Sequence, residues 1–132
     1  MSYDILITDD SAIVRSVVRK VIALAGVDVG QVHEAANGKE ALEVLHGTNV
    51  DLVLADVNMP TMSGVELVQR MRAVPALASV PVVAISSAHG AARIEELRRS
   101  GVSAYVTKPF RPEQLRGVLR EVLGPEAVRH VP

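Results

Sequence analysis

Three carboxylates, a hydroxyl and an ammonium group in this chain each follow a short run of β-branched residues. DILIT leads into Asp9 and Asp10, DLVLA into Asp56, VPVVAIS closes on Ser86, and SAYVT runs out into Lys108 and Pro109. Taken singly, each group has an ordinary explanation. Asp-Asp-Ser ahead of a helix is a good N-terminal cap, Asp56 passes for a loop acid, and Ser86 and Lys108 for surface polar groups. Together, at the ends of separate predicted strands, they ask for a common one. Asp9, Asp10 and Asp56 in one pocket would repel one another unless a cation joined them. Mg²⁺ suits such a site, since it takes oxygen ligands, keeps several waters and works beside phosphates. With Mg²⁺ and Lys108 present, the formal charges of the cluster cancel.

The elements that must position these groups are legible as alternation. Strands are expected over Asp4–Thr8, Gln31–Ala35, Asp51–Ala55, Val80–Ser86 and Ser103–Thr107. The first, third and fourth are near-continuous apolar runs, as strands covered on both faces should be. Between them lie helical stretches over Ser11–Ala25, Gly38–Leu45, Gly64–Arg72, Ala91–Ser100 and Pro112–Leu123. In the first, Val14, Val17, Val18, Val21, Leu24 and Ala25 form the expected inward stripe, and Gly26 is placed to stop the helix in a left-handed turn. In the last, Pro112 opens the helix, Leu115, Val118, Leu119, Val122 and Leu123 point inward, and Gly124 follows. The Ala91–Ser100 helix has only Ile94 and Leu97 as large apolar anchors among five charged residues, and is expected to be loosely held.

Strict βα alternation predicts a parallel sheet with helices on both faces. In such a sheet, ligands bind beyond the carboxyl ends of the strands, which is where the reactive groups lie.

Composition narrows the function. The 132 residues fit one domain, over residues 1–124, with residues 125–132 as a short C-terminal tail. A formal charge of −1 shows no electrostatic footprint for nucleic acid. The absence of cysteine excludes disulfides, thiol catalysis and thiolate metal sites. No basic, apolar leader and no run of about 20 apolar residues is present, so no membrane role and a cytoplasmic location are expected. With Tyr3, Tyr105 and Phe110 as the only aromatics, base or flavin stacking is poorly served. His33, His46, His89 and His130 are scattered and lack metal-ligand spacing.

The motifs resemble the receiver domain of two-component response regulators, from about Tyr3 to Gly124. They are DD at Asp9 and Asp10, LVLADVNMPTMSG around Asp56, ISSA with Ser86, YVTKPF from Tyr105 to Phe110, and AANGKEAL from Ala35 to Leu42. The resemblance implies a flavodoxin-like (βα)5 fold with strand order 2-1-3-4-5, the arrangement for which CheY of this family is a standard example. It implies a signalling switch rather than an enzyme, phosphorylated by a histidine kinase or phosphotransfer protein. Asp56 would be the phosphoacceptor. Asp9, Asp10, Asp56 and the backbone carbonyl of Asn58 would hold Mg²⁺. Lys108 and Ser86 would bind the phosphoryl oxygens, Pro109 would follow a cis peptide bond, and Tyr105 would be the aromatic switch. Ser86 replaces the Thr common in the family, keeping the hydroxyl and losing a methyl.

The output face would be the Ala91–Ser100 helix with the last strand and last helix, binding a downstream protein. Regulators that dimerise through this face carry acids just before the tyrosine. Gly101–Tyr105 carries no charge, which resembles a stand-alone chemotaxis-type receiver that stays monomeric. The alternative is the N-terminal receiver of a longer DNA-binding regulator. An aspartyl phosphatase fits less well, because Asp56-Val57-Asn58 lacks its second acid and follows the third strand. A flavodoxin-type carrier also fits poorly, because DDSA is no phosphate loop.

Overall fold

The computed structural model describes residues 2–87 and 91–125, apart from the side chains of residues 91–94. His89, His130, the Ile94 side chain and the tail beyond residue 125 therefore lie outside the described residues.

Among the described residues, five strands and five helices alternate. They are β1 (Tyr3–Thr8), α1 (Ala12–Leu24), β2 (Val29–Ala35), α2 (Gly38–Gly47), β3 (Leu52–Asp56), α3 (Gly64–Ala73), β4 (Val82–Ser86), α4 (Ala91–Arg99), β5 (Ala104–Thr107) and α5 (Pro112–Leu123). The strands form one parallel sheet in the order β2-β1-β3-β4-β5. This is the flavodoxin-like architecture expected from the alternation and the motifs.

Burial follows strand position. Every residue of the central strands β3 and β4 is buried, whereas edge strand β2 exposes three of its seven residues. Alternate side chains enter different layers. Ile5, Ile7, Leu54, Val83 and Ile85 pack with Val18 and Ile22 of α1 and Leu115 and Leu119 of α5. On the opposite face Leu6, Val53 and Val82 meet Ala41 and Leu45 of α2 and Leu67 and Met71 of α3. A smaller cluster joins Val57 and Ala84 to Leu97 of α4, with Tyr105 and Val65 against it.

Helix α5 buries the face its period predicts, with Val118, Val122 and Leu123 packed against the core beside Leu115 and Leu119. Helix α1 does not. Val17 and Leu24 are 53% and 65% exposed, and Ile13 is 78% exposed. The buried residues are Val18 and Ile22, with Ala25 at the cap. At about 100° per residue, Ile13, Val17 and Leu24 fall on one line roughly a quarter-turn or more away from the face that Val18, Ile22 and Ala25 present to the sheet. The stretch is apolar over so wide an arc that its period alone could not locate the face in contact. Gly26, at φ 83°, ends the helix in the conformation expected of it.

A candidate acidic metal and phosphoryl site

The carboxyl edge of the sheet gathers the groups that the strand ends carry. Asp9 follows β1 and is fixed there by its own N–H, which donates to the Ala35 carbonyl at the end of β2 (3.1 Å). Its Oδ1 accepts the Ser11 N–H at 2.9 Å, and Ser11 in turn caps α1 by accepting the Val14 N–H. Asp56 is the last residue of β3, and its Oδ1 accepts the Asn58 N–H at 3.3 Å. Carboxylate oxygens of Asp9, Asp10 and Asp56 all lie within 4.8 Å of one another, with Asp9 and Asp56 buried and Asp10 exposed.

Lys108 reaches this cluster from the far side of the sheet. Its backbone N–H donates to the Ser86 carbonyl at 2.8 Å, which ties the loop after β5 to the end of β4. The Lys108–Pro109 peptide bond is cis. The Lys108 ammonium stands 3.5 Å from Asp9 Oδ2 and 3.5 Å from Asp56 Oδ2. Both separations exceed the 2.7–2.9 Å or so of a charge-assisted hydrogen bond, so the contacts are electrostatic. Asp9 Oδ2 is buried and has no hydrogen-bond partner among the described residues. An unpartnered buried carboxylate oxygen costs free energy, and a hard cation would satisfy it. The donors are all oxygens and carry more negative charge than Lys108 offsets. They fit Mg²⁺.

Ser86 is fully buried at the end of β4, one residue beyond the Ile85 that pairs with Asp56. By strand alternation it shares the sheet face of Ala84. Tyr105 pairs with Ala84 across β4 and β5 and is half-buried against the Val57–Ala84–Leu97 cluster. Val57, the residue after Asp56, thus belongs to the same cluster as Tyr105. Asn58 is exposed beside the acids. The structure therefore brings Asp9, Asp10, Asp56 and Lys108 into one cluster, with Asn58 and Ser86 at its border. Tyr105 sits behind them.

Two residues with a hand in this geometry escape a reading of the sequence. Gly64 opens α3 directly below Asp56, and its N–H donates to the Val57 carbonyl at 3.1 Å. Arg15 of α1 donates through Nη1 to the Asp9 carbonyl. A hint of Arg15 exists in the Arg15–Arg19 spacing, which aligns two cations along one side of α1 opposite Glu34 on the edge strand. Between Asp56 and α3, Thr61 holds φ at 67°, a conformation that strains a β-branched residue.

The family model for the response regulator receiver domain matches residues 5–120. This chain belongs to that family. A chemotaxis protein CheY homolog of Campylobacter jejuni is 34% identical over 121 residues, spanning 91% of this chain and 92% of the relative. The chemotaxis protein CheY4 of Vibrio cholerae is 30% identical in structure-based alignment, with a TM-score of 0.81 over 92% of this chain and 99% of that one. The fold is shared with the receiver domain of sensor histidine kinase PA1611 from Pseudomonas aeruginosa, at 22% identity and a TM-score of 0.82. That match covers 94% of this chain and 99% of that one, and that structure has a magnesium ion coordinated in its active site cleft. The protein is thus a CheY-like receiver, a signalling domain of two-component systems. Among the described residues, no helix is long and apolar enough to cross a membrane.

Proposed function

We propose that this receiver takes a phosphoryl group from a histidine kinase or phosphotransfer protein onto Asp56, with Mg²⁺ beside it, and then binds a separate downstream protein. The observation that carries the reading is the Lys108 ammonium placed equally, at 3.5 Å, from one oxygen of Asp9 and one of Asp56. Asp9, Asp10, Asp56 and the Asn58 carbonyl would hold the metal. When bound, Mg²⁺ supplies neutralisation of charge on the transferring phosphoryl group. An Asp56 carboxylate oxygen is the nucleophile. Its bond to phosphorus forms as the donor's phosphorus–nitrogen bond breaks, and the imidazole departs. Lys108 turns from the carboxylates to the phosphoryl oxygens, and the Ser86 hydroxyl donates to one of them.

The output follows from shared packing. Ser86 and Tyr105 lie on one face of the sheet, and Val57 links the acceptor to the Tyr105 cluster. Movement of Ser86 toward the phosphoryl group would bias Tyr105 inward, altering the face formed by α4, β5 and α5. A crevice of about 390 Å³ on that face, lined by Tyr105, Phe110, Gly117, Val118 and Glu121, offers a seat for a partner.

The test is uptake of a small phosphodonor or of beryllofluoride. Labelling should require Mg²⁺ and be lost in Asp56→Asn. Uptake at the wild-type rate by Asp56→Asn, or indifference to excess chelator, overturns the assignment.

A further inference from the structure

Arg15 stands behind Asp9 in a way that nothing in the reading above uses. It lies one turn into α1, and helical side chains lean back toward the N-terminus, which brings its guanidinium to the end of β1. Nη1 donates to the Asp9 carbonyl, while Nε donates to Glu34 Oε1 on β2 at 2.8 Å. The second Glu34 oxygen takes Arg19 Nη2 at 2.6 Å. The planar fork of Arg15 is thereby fixed by two acceptors at once. Its side chain is 16% exposed, against 49% for Arg19. Asp9 is then held at its carbonyl by Arg15, at its N–H by Ala35 and at Oδ1 by Ser11. What remains is Oδ2, buried, without a hydrogen bond among the described residues, and facing the Lys108 ammonium at 3.5 Å.

We propose that Arg15 is a positioning residue for the acidic site. It acts through the Asp9 backbone and is itself aimed by Glu34. The inference rests on the Mg²⁺ reading. Two effects of the guanidinium oppose each other, and their signs separate them. As a nearby positive charge it disfavours a second cation, so by Coulomb's law alone its removal would tighten Mg²⁺ binding. As the anchor of Asp9 it holds a carboxylate in place, and its removal would weaken binding. Groups that orient metal ligands from behind typically change affinity by about tenfold or more. Glu34, bonded to Arg15 at 2.8 Å, offsets the charge of the guanidinium and leaves the Coulomb effect smaller. Positioning should therefore win.

Titration calorimetry with MgCl₂ decides it, alongside denaturant unfolding without metal. Arg15→Met should raise the Mg²⁺ Kd about five- to tenfold. Arg15→Lys keeps the charge but cannot span both acceptors, and should also weaken binding. Glu34→Gln breaks the ion pair while leaving the Asp9 bond, so it should cost similar stability with a smaller change in Kd. A Kd for Arg15→Met or Arg15→Lys that is unchanged or tighter overturns the proposal. So does equal weakening in Glu34→Gln and Arg15→Met, which would make Arg15 merely a tie between α1 and β2. Wild-type protein that binds no Mg²⁺ would instead remove the metal reading itself, and this proposal with it.

Discussion

Gly64 lies so close to Asp56 that a Cβ built on it would stand 2.4 Å from the Asp56 carbonyl oxygen. Real side chains never approach a backbone atom so closely, and the neighbour is a strand end with no freedom to retreat. The glycine thus lets α3 start directly against the end of β3 at Asp56. Gly64→Ala should displace either the start of α3 or the end of β3, at an overpacking cost of about 1–3 kcal/mol. We expect a lower denaturation midpoint together with slower phosphodonor labelling of Asp56. An alanine variant with wild-type stability and labelling would show that the loop between β3 and α3 yields at no cost.

If the proposed function holds, Lys108 should separate metal binding from response. Its ammonium lies between Asp9 and Asp56, and it is not a metal ligand. Lys108→Ala should leave Mg²⁺ bound, at an affinity equal to or above that of wild type, because a competing cation has been removed. The same variant should fail to show the conformational change on beryllofluoride binding, read as shifts of α4, β5 and α5 amide resonances. Loss of Mg²⁺ binding in Lys108→Ala would contradict this division of labour.

Thr61 stores strain in the loop after Asp56. Its φ of 67° is one that asparagine adopts at little cost and a β-branched residue does not. Thr61→Asn should stabilise the protein by roughly 1 kcal/mol, the low end of what a residue held in this region costs. Chemical denaturation in the absence of metal measures it directly. A destabilised variant would mean that contacts of the threonine side chain outweigh the relief.

The parallel sheet and the meeting of Asp9, Asp10, Asp56 and Lys108 were legible in the sequence for one physical reason, whereas the strand order came from the family resemblance. Parallel strands all present their carboxyl ends to the same rim, so residues that end strands meet there whatever their separation. The rotation of α1 was not legible, since Val17 and Leu24 satisfy the helical period as well as Ile22 does, and only the shape of the sheet and α5 selects the buried face. Nor were the roles of Gly64 and Arg15. One depends on the distance between a helix start and a strand end, the other on a partner 19 residues away on an edge strand. Local pattern places elements and leaves their fine approach to packing.

Glu34 makes a pH-dependent contribution. Hydrogen bonds from Arg19 and then Arg15 hold its carboxyl below the ordinary value of 4.5. A depressed carboxyl pKa adds stability that is fully present above the unfolded value and is lost as pH falls through the lower, folded one. The wild-type advantage over Glu34→Gln should therefore be constant near neutrality and shrink as pH drops below about 4.5. The pair is partly exposed, so the advantage should be under about 1 kcal/mol and fall with added salt. Urea midpoints of the two proteins along a descending pH series give the difference. An advantage that grows toward acid would place the stabilisation elsewhere.

Assembly is expected to depend on the proposed output face. An isologous dimer through α4, β5 and α5 sets the same patch against itself, and the last strand offers it no charge pair. From Gly101 to Thr107 the chain carries no charge, and the sequence passes from Arg99 to Lys108 without an acid. Tyr105 is half-buried against Leu97 and Ala84, so a switched tyrosine would move further into its own subunit and add nothing to a contact between copies. A stable dimer buries about 800 Å² on each partner, and this face offers an open crevice suited to a single inserted segment. We therefore expect both the unmodified protein and its beryllofluoride–Mg²⁺ form to sediment as monomers. A clear dimer at micromolar concentration would reject the stand-alone reading and favour a receiver that belongs to a longer, DNA-binding regulator.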